Sequence, residues 1–450
     1  MKRILLTILL ICSFLVNAQF WNEKATGFTT PSRGLYSISI VDANTVWAEA
    51  YNYDGLIEDT TIKEFTKSTD GGNTWTPGTI DLGLDTNELR ISSITATSPT
   101  TAWVSAITGA TQLGGIWKTT DGGTNWTKQT TALFNNSAES YTNFVHFWDA
   151  NNGVAQGDPE NGEFEIYTTS DGGTTWSRVS GANIPDPDAG GEFGYENLYE
   201  VSGNTIWFGT DMGRIFKSID KGLTWTVNTV PSPSTDFKND KFTFSTANKG
   251  LLAIYILDQP SLLYSTTDGG ANWTPVITSG TISKDHIAYI PGAKIVVSTQ
   301  EKDTSNGGKA GSSYSTDDGV TWTTIDTDVF HGELAFLNSS FGFSGGINSN
   351  ATTGGIFKFT GIPLKAPSFD LKNQITAYPN PTNGILNINS ENSLIKEASV
   401  FDLLGRKVYN SKFSALNNVS LDLKSLQTGA YVLKVTTDSG KTETVKIMKK

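Results

Sequence analysis

Six short clusters set a serine or threonine two residues ahead of an aspartate. They read Ser68-Thr-Asp-Gly-Gly-Asn-Thr-Trp75, Thr119-Thr-Asp-Gly-Gly-Thr-Asn-Trp126, Thr169-Ser-Asp-Gly-Gly-Thr-Thr-Trp176, Ser218-Ile-Asp-Lys-Gly-Leu-Thr-Trp225, Thr266-Thr-Asp-Gly-Gly-Ala-Asn-Trp273 and Ser315-Thr-Asp-Asp-Gly-Val-Thr-Trp322. A hydroxyl beside a carboxylate could serve nucleophilic or acid–base chemistry. Six matching copies argue for structure instead, because an array of hairpins needs one turn per repeat. All six share the aspartate (Asp70, Asp121, Asp171, Asp220, Asp268, Asp317) and the second glycine (Gly72, Gly123, Gly173, Gly222, Gly270, Gly319). Lys221 and Asp318 replace the first glycine in two copies. The carboxylate is expected to accept from buried turn N–H groups. The second glycine is expected to take positive φ, and the tryptophan to cover the turn.

Other chemistry-bearing residues are sparse. Gly157-Asp-Pro-Glu-Asn-Gly-Glu163 could gather Asp158, Glu160 and Glu163 around a hard cation such as calcium. His146, His286 and His331 lack metal-ligand spacing. Cys12 is the only cysteine and lies in the apolar N-terminal stretch, so a chain processed after it has no disulfide or thiol chemistry. No phosphate-binding loop, nucleophile elbow or dinucleotide fingerprint occurs, and no cofactor is expected.

These residues must be positioned by a repeat. The six aspartates step by 51, 50, 49, 48 and 49 residues, a period of radial or stacked architectures. Seven strand-like pieces centre on Trp47, Trp103, Val154, Trp207, Leu252, Val296 and Phe343. The last continues into Gly355-Ile-Phe-Lys358 but has no Asp-Gly-Trp ending. Phe20-Trp21-Asn22-Glu23 reads like the segment after each cluster's tryptophan, so the amino end is expected to close the seventh repeat. Each repeat reads as four strands, A to D, with the cluster as the C–D turn. Valine, isoleucine, threonine and aromatics dominate the strands.

The pattern S/T-x-D-x-G-x-T/N-W resembles the Asp-box, or BNR, repeat. Sialidases, xyloglucan-cleaving glycosidases, sortilin-type receptors and photosystem-assembly-factor-like proteins carry it. The resemblance implies an all-β fold, here a seven-bladed propeller. It does not name a ligand. Sialidases clamp a substrate carboxylate with three arginines. Residues 19–361 contain only Arg33, Arg90, Arg178 and Arg214, and no Arg-Ile-Pro-like opening.

Both ends read as addresses. Lys2-Arg3, the apolar run Ile4–Val16 and Val16-Asn17-Ala18 form a secretory signal over residues 1–18. The propeller would span 19–361, and 362–374 would be a linker. Residues 375–450 carry Tyr378-Pro-Asn-Pro-Thr-Asn-Gly384, Val400-Phe-Asp-Leu-Leu-Gly-Arg406, Leu426-Gln-Thr-Gly-Ala-Tyr-Val-Leu433 and Lys446-Ile-Met-Lys-Lys450. Together they resemble the type A sorting domain of the type IX secretion system in Bacteroidota-type bacteria. That implies a small Ig-like β-sandwich recognised by the outer-membrane translocon. It also implies a route through Sec and the periplasm to the surface or the medium.

Charge divides the chain. Residues 375–450 hold ten Lys/Arg against six Asp/Glu, or +4. Lys2 and Arg3 add two, so a whole-chain charge of −12 leaves −18 between them. An acidic body argues against nucleic acid and anionic lipid. Ligands of propellers of this kind sit at the channel mouth opposite the Asp boxes. Residues opening strand A are therefore the candidates: Arg33, Arg90, Asn143, Asn197, Lys241, His286 and Glu333, with Asp158, Glu160, Asp211, the Tyr51–Asp54 loop and Asp258-Gln259 from B–C loops. The expectation is a monomeric, secreted, non-catalytic module binding a glycan or protein. The alternative is a glycoside hydrolase or lyase, which needs paired carboxylates about 5–10 Å apart, one with a raised pKa.

Overall fold

A computed structural model describes residues 20–53, 62–83, 88–107, 113–135, 140–231, 240–255, 261–301, 310–362, 375–390, 393–438, 440 and 442–450. The proposed signal, Asp54, Asp258-Gln259 and all but the first residue of the proposed linker lie outside these residues. The chain divides into two compact units, Met1–Pro363 and Leu364–Lys450.

In the first unit the described residues form seven four-stranded antiparallel sheets, and the fold is a seven-bladed β-propeller. Blade 1 shows the plan. Strand A is Arg33–Ile40, B is Val46–Asn52, C is Glu64–Ser68 and D is Thr76–Thr79. The six later A strands open at Arg90, Thr142, Gly194, Lys241, His286 and Leu334. Trp47, Val154 and Phe343 lie on B strands of blades 1, 3 and 7, as the repeat spacing anticipates.

The core is divided among the blade interfaces. Seven apolar clusters each join residues of two neighbouring blades. Trp47, Trp103 and Trp207 are fully buried there. Trp103 stacks on Phe147 of blade 3 at 3.6 Å, and Trp207 on Phe244 of blade 5 at 3.9 Å. Burying such a ring contributes roughly 2–3 kcal/mol, so each blade depends on its neighbours.

The ring is sealed by the amino end. Trp21–Ala25 pairs antiparallel with strand C of blade 7, with Trp21 opposite Phe359 and Glu23 opposite Phe357. Trp21 Nε1 also donates to Ser312 Oγ of blade 6 at 3.0 Å. The closing strand thus removes the edge that blade 7 would expose.

The Asp-box turn corrects two sequence expectations. First, the buried amide is not served by the aspartate. In all six turns the second glycine's N–H donates to the Ser/Thr hydroxyl, at 2.8–3.0 Å. The aspartate accepts from exposed amides, such as Thr175 N to Asp171 Oδ1 at 2.9 Å. Second, both glycine positions have positive φ, including Lys221 at 61° and Asp318 at 60°. In five of the six boxes the second glycine is also held by proximity, whereas at Gly270 an added Cβ would meet nothing closer than 3.4 Å. A Cβ on Gly123 would lie 2.2 Å from the Phe65 ring, and one on Gly72 would lie 2.4 Å from Phe343.

The second unit holds two sheets. Ile375–Tyr378, Ile385–Ser390 and Asn418–Asp422 form one, and Lys407–Leu416, Ile395–Phe401, Gly429–Thr437 and Thr442–Lys449 form the other. Their alternating apolar faces share one core, including Leu386, Ile388, Val400, Leu433 and Ile447.

Candidate functional site

Strand A of blade 4 shapes the channel mouth. Gly194 pairs with Thr210, yet the next paired residue is Tyr199, opposite Phe208. Residues 195–198 therefore bulge out of register. Asn197 takes a positive φ of 52°. Its amide Nδ2 donates to Tyr36 O of blade 1 at 3.0 Å. Ser37 Oγ of blade 1 donates back to Asn197 Oδ1 at 3.4 Å. Glu196 pairs with Arg90 of blade 2. One bulge thus ties blade 4 to two blades across the ring. Beside it lies a channel cavity of about 410 Å³, lined in part by Ser37, Asn197, Tyr199, Glu200, Thr243 and Glu333.

The expected ring residues divide into groups. Asn143 Nδ2 donates to Asp158 Oδ1 at 2.7 Å, and Gly194 N donates to the same oxygen at 2.9 Å. Burial pushes Asp158 up to about 7 against those two bonds, with Glu196 and Asp211 adding to the rise. His286 lies 3.1 Å from Glu333 and 3.6 Å from Glu301. Burial alone would lower His286, but these two carboxylates outweigh it and hold it at about 9. Lys241 feels Glu333, Asp285 and Glu301, but burial lowers it.

Arg33 turns away along its own blade. Its Nε lies 2.6 Å from Glu64 on strand C, and it reaches Asn52 as well. The cation site expected at Asp158, Glu160 and Glu163 is not assembled. Glu160 pairs with Arg178 at 2.6 Å, while Glu163 lies against Gly181. Among the described residues no group of three His, Cys, Asp or Glu side chains is arranged to hold a metal. The register shift between Gly157 and Pro159 explains the split: regular alternation would put Asp158 and Glu160 on one face, and the unpaired Asp158 breaks that alternation.

Several residues at the mouth were not expected. Glu196 was missed because the bulge has no periodic signature. Glu49, Asp285 and Glu301 read as ordinary strand or loop acids. Burial raises Glu49 well above the usual carboxylate range, and Glu196 adds to this while Arg90 opposes it. Glu200 is pushed up to about 8, chiefly by burial. Asp211 accepts from Phe193 N at 2.9 Å, one residue before the amide that Asp158 accepts from.

This architecture defines a class: an Asp-box β-propeller followed by a small two-sheet domain. Residues 376–450 match the family described as the secretion system C-terminal sorting domain. The chain is therefore a type IX-secreted β-propeller, directed across the outer membrane to the surface or exterior. Its sorting domain implies interaction with the type IX machinery. No curated protein matches the chain in sequence. Among solved structures it is similar to Ycf48 bound to D1 peptide, at 16% identity and TM-score 0.52, over 76% of this chain and 98% of that one. Ycf48 from Cyanidioschyzon merolae gives 16% and 0.51 over the same shares. PorZ of Porphyromonas gingivalis, described as a surface component of the type IX system, gives 12% and 0.33 over 92% and 70%. Likeness to Ycf48 at this level shows the propeller fold.

Proposed function

We propose that the protein is a secreted, monomeric, non-catalytic binding module that takes a glycan or protein on its channel-mouth face. A leader at residues 1–18, a propeller at 19–361 and a sorting domain at 375–450 would deliver it. The observation that carries the reading is the bulge at 195–198, which joins blades 1, 2 and 4 into one fixed surface through Glu196 and Asn197. Ligand sites are commonly loops held by rigid scaffolds. Exposed Phe193 (43%) and Tyr141 (37%) stand beside Asp211 and Asp158, where aromatics could stack on a sugar or anchor a protein. A glycan array and surface cross-linking with the purified protein should show binding. A reducing-sugar assay on the same glycans should show no release.

One observation favours a second reading, glycoside hydrolysis or elimination. Asp158 and Asp211 accept from consecutive amides, Gly194 and Phe193, which keeps the two carboxylates close. Asp158 at about 7 has the character of a general acid. Sugar release abolished by Asp158→Asn would replace the first reading with this one.

A further inference from the structure

Side chains of blades 1, 6 and 7 meet in one chain of contacts at the channel mouth. The rings of Tyr53, after strand B of blade 1, and Phe330, in the connection entering blade 7, pack edge to face at 4.6 Å. Tyr53 packs on Tyr51 in turn, at 6.5 Å. Tyr51 Oη donates to Glu301 Oε1 at 3.2 Å. His286 lies 3.6 Å from that same oxygen and 3.1 Å from Glu333 Oε2. The side chains of His286, Glu301 and Glu333 are 22–31% exposed, and Tyr53 and Phe330 are half-buried, so a ligand can reach them. Glu333 also lines the channel cavity of about 410 Å³. Gly332 opens the middle of the cluster. A Cβ there would lie 3.3 Å from Glu301 Oε1 and 3.6 Å from the Phe330 ring, so carboxylate and ring flank a gap that no side chain of Gly332 fills.

We propose that this cluster seats one sugar ring of a neutral glycan, with Tyr53 and Phe330 as its apolar platform and Glu301 and Glu333 as acceptors for its hydroxyls. The proposal rests on the binding-module reading and names the class of ligand. A pyranose has an apolar C–H face and a rim of O–H donors. Aromatic rings beside a few fixed acceptors match both. A carboxylate offers about four accepting sites, and Tyr51 and His286 occupy only part of that capacity. Hydrogen bonds to a carboxylate are charge-assisted and therefore strong. Charge selects against charged ligands. His286 is held at about 9 and is an imidazolium at neutral pH. It would repel a cation, and the two carboxylates beside it would repel an anion. A neutral polyol meets neither penalty. A protein segment brings few donors for two carboxylates unless it also brings a charge.

The test is calorimetric titration of the purified protein with cellohexaose, laminarihexaose, xylohexaose and mannohexaose, and with hexagalacturonate and hexaglucosamine as charged counterparts. A neutral hexasaccharide should bind several-fold tighter than either charged one, with little dependence on salt. Phe330→Ala and Glu301→Gln should each weaken that binding about tenfold, the loss of one good contact. Phe330→Trp should keep it, because the platform remains. Gly332→Val should abolish it by filling the gap, and Gly332 has no positive φ, so the backbone accepts a side chain there. Leu223→Ser, an exposed apolar residue in an Asp box, should leave binding unchanged. Thermal midpoints of the variants check folding. Equal affinity in Phe330→Ala, Glu301→Gln and Gly332→Val overturns the seat. Tighter binding of a charged hexasaccharide overturns the neutral ligand. The two levels fail separately. If no hexasaccharide binds while surface cross-linking captures a protein, the module stands and the seat falls. If Phe193→Ala abolishes sugar binding and the cluster variants do not weaken it, the sugar sits elsewhere on the mouth and the seat falls again.

Discussion

Lys249 Nζ of blade 5 lies 2.6 Å from Asp318 Oδ1, in the Asp-box turn of blade 6. Asp318 is one of the two residues that replace the first glycine of the box. The other, Lys221, pairs back to Asp149 of blade 3 at 3.4 Å. At other interfaces the contact runs forward from a strand-C lysine. Lys67 donates to Gly122 O at 3.0 Å, and Lys118 to Gly172 O at 2.7 Å. A Cβ on Gly269 would lie 2.0 Å from Lys217 Nζ and 2.6 Å from the Ala247 carbonyl oxygen, so a side chain there would displace the incoming lysine and press on the backbone. Blades 3 and 5 have Thr168 and Ser265 at the lysine position, and there the next turn carries its own charge. The two deviations from the motif are therefore alternative latches between blades. Both partners of the Lys249–Asp318 pair are partly solvated, so Asp318→Asn should cost about 0.5–1 kcal/mol. A double-mutant cycle with Lys249→Met should show coupling of that size, and additivity would refute the latch.

The two glycines of one box should respond differently to alanine. Gly122→Ala forces a positive φ of 81° on a residue with a Cβ and crowds only the mobile end of Lys67. It should cost about 1 kcal/mol. Gly123→Ala adds a collision with the Phe65 ring and should cost about 3 kcal/mol. Denaturant midpoints of the two variants give the comparison. Equal losses would mean that φ, and not the neighbouring blade, fixes the second glycine.

The hydroxyl and the carboxylate of a box also have separable roles. Thr169→Val leaves the buried Gly173 amide without an acceptor, at a cost of about 2 kcal/mol at any pH. Asp171 matters through acid. Bonds from Thr175 hold it at about 2, below its usual 3.8. Asp70, Asp121 and Asp268 sit at about 2 as well. A depressed carboxylate stabilises the fold above its unfolded pKa and loses that contribution as pH falls through the folded value. Stability should therefore fall between about pH 4 and pH 2, and Asp171→Asn should make the fall shallower. An unchanged acid profile would argue that these bonds do not persist in solution.

The toroid was legible because its signals are periodic and local. A box near every fiftieth residue counted six turns, and Phe20–Glu23 supplied the missing strand. The mouth was only partly legible. Asn143, Asn197, His286 and Glu333 were named from strand starts, since every blade must open there. Arg33 was named on the same ground but turns along its blade to Glu64. Glu196 and Glu49 were not found, because one depends on an out-of-register bulge and the other on the packing of adjacent blades. Neither leaves a period in the chain.

His286 should make the mouth sensitive to alkali. It faces Glu301, Glu333, Asp285 and Lys241. Its pKa in the fold is about 9, above the usual 6.5. A raised histidine contributes fully below its unfolded pKa and loses that contribution as pH rises through the folded one. The protein should weaken from about pH 6.5 to pH 9, and His286→Gln should remove most of that slope. A His286 resonance, assigned by its loss in His286→Gln, that titrates near 6.5 would contradict the assignment.

The last prediction concerns delivery. Residues 376–450 form the sorting domain, and its shared core draws on both of its sheets, from Ile375 to Ile447. Truncation after Pro379 removes every strand of the second sheet, so no partial sandwich remains for the translocon to read. The propeller unit keeps its own seven interfaces and its closing strand, because all of those residues precede Pro363. The truncated protein should therefore fold and accumulate in the periplasm, detectable by fractionation and intact by limited proteolysis. Its normal appearance outside the cell would show that another segment directs export. Its disappearance from every fraction would show that the propeller needs the second unit to survive.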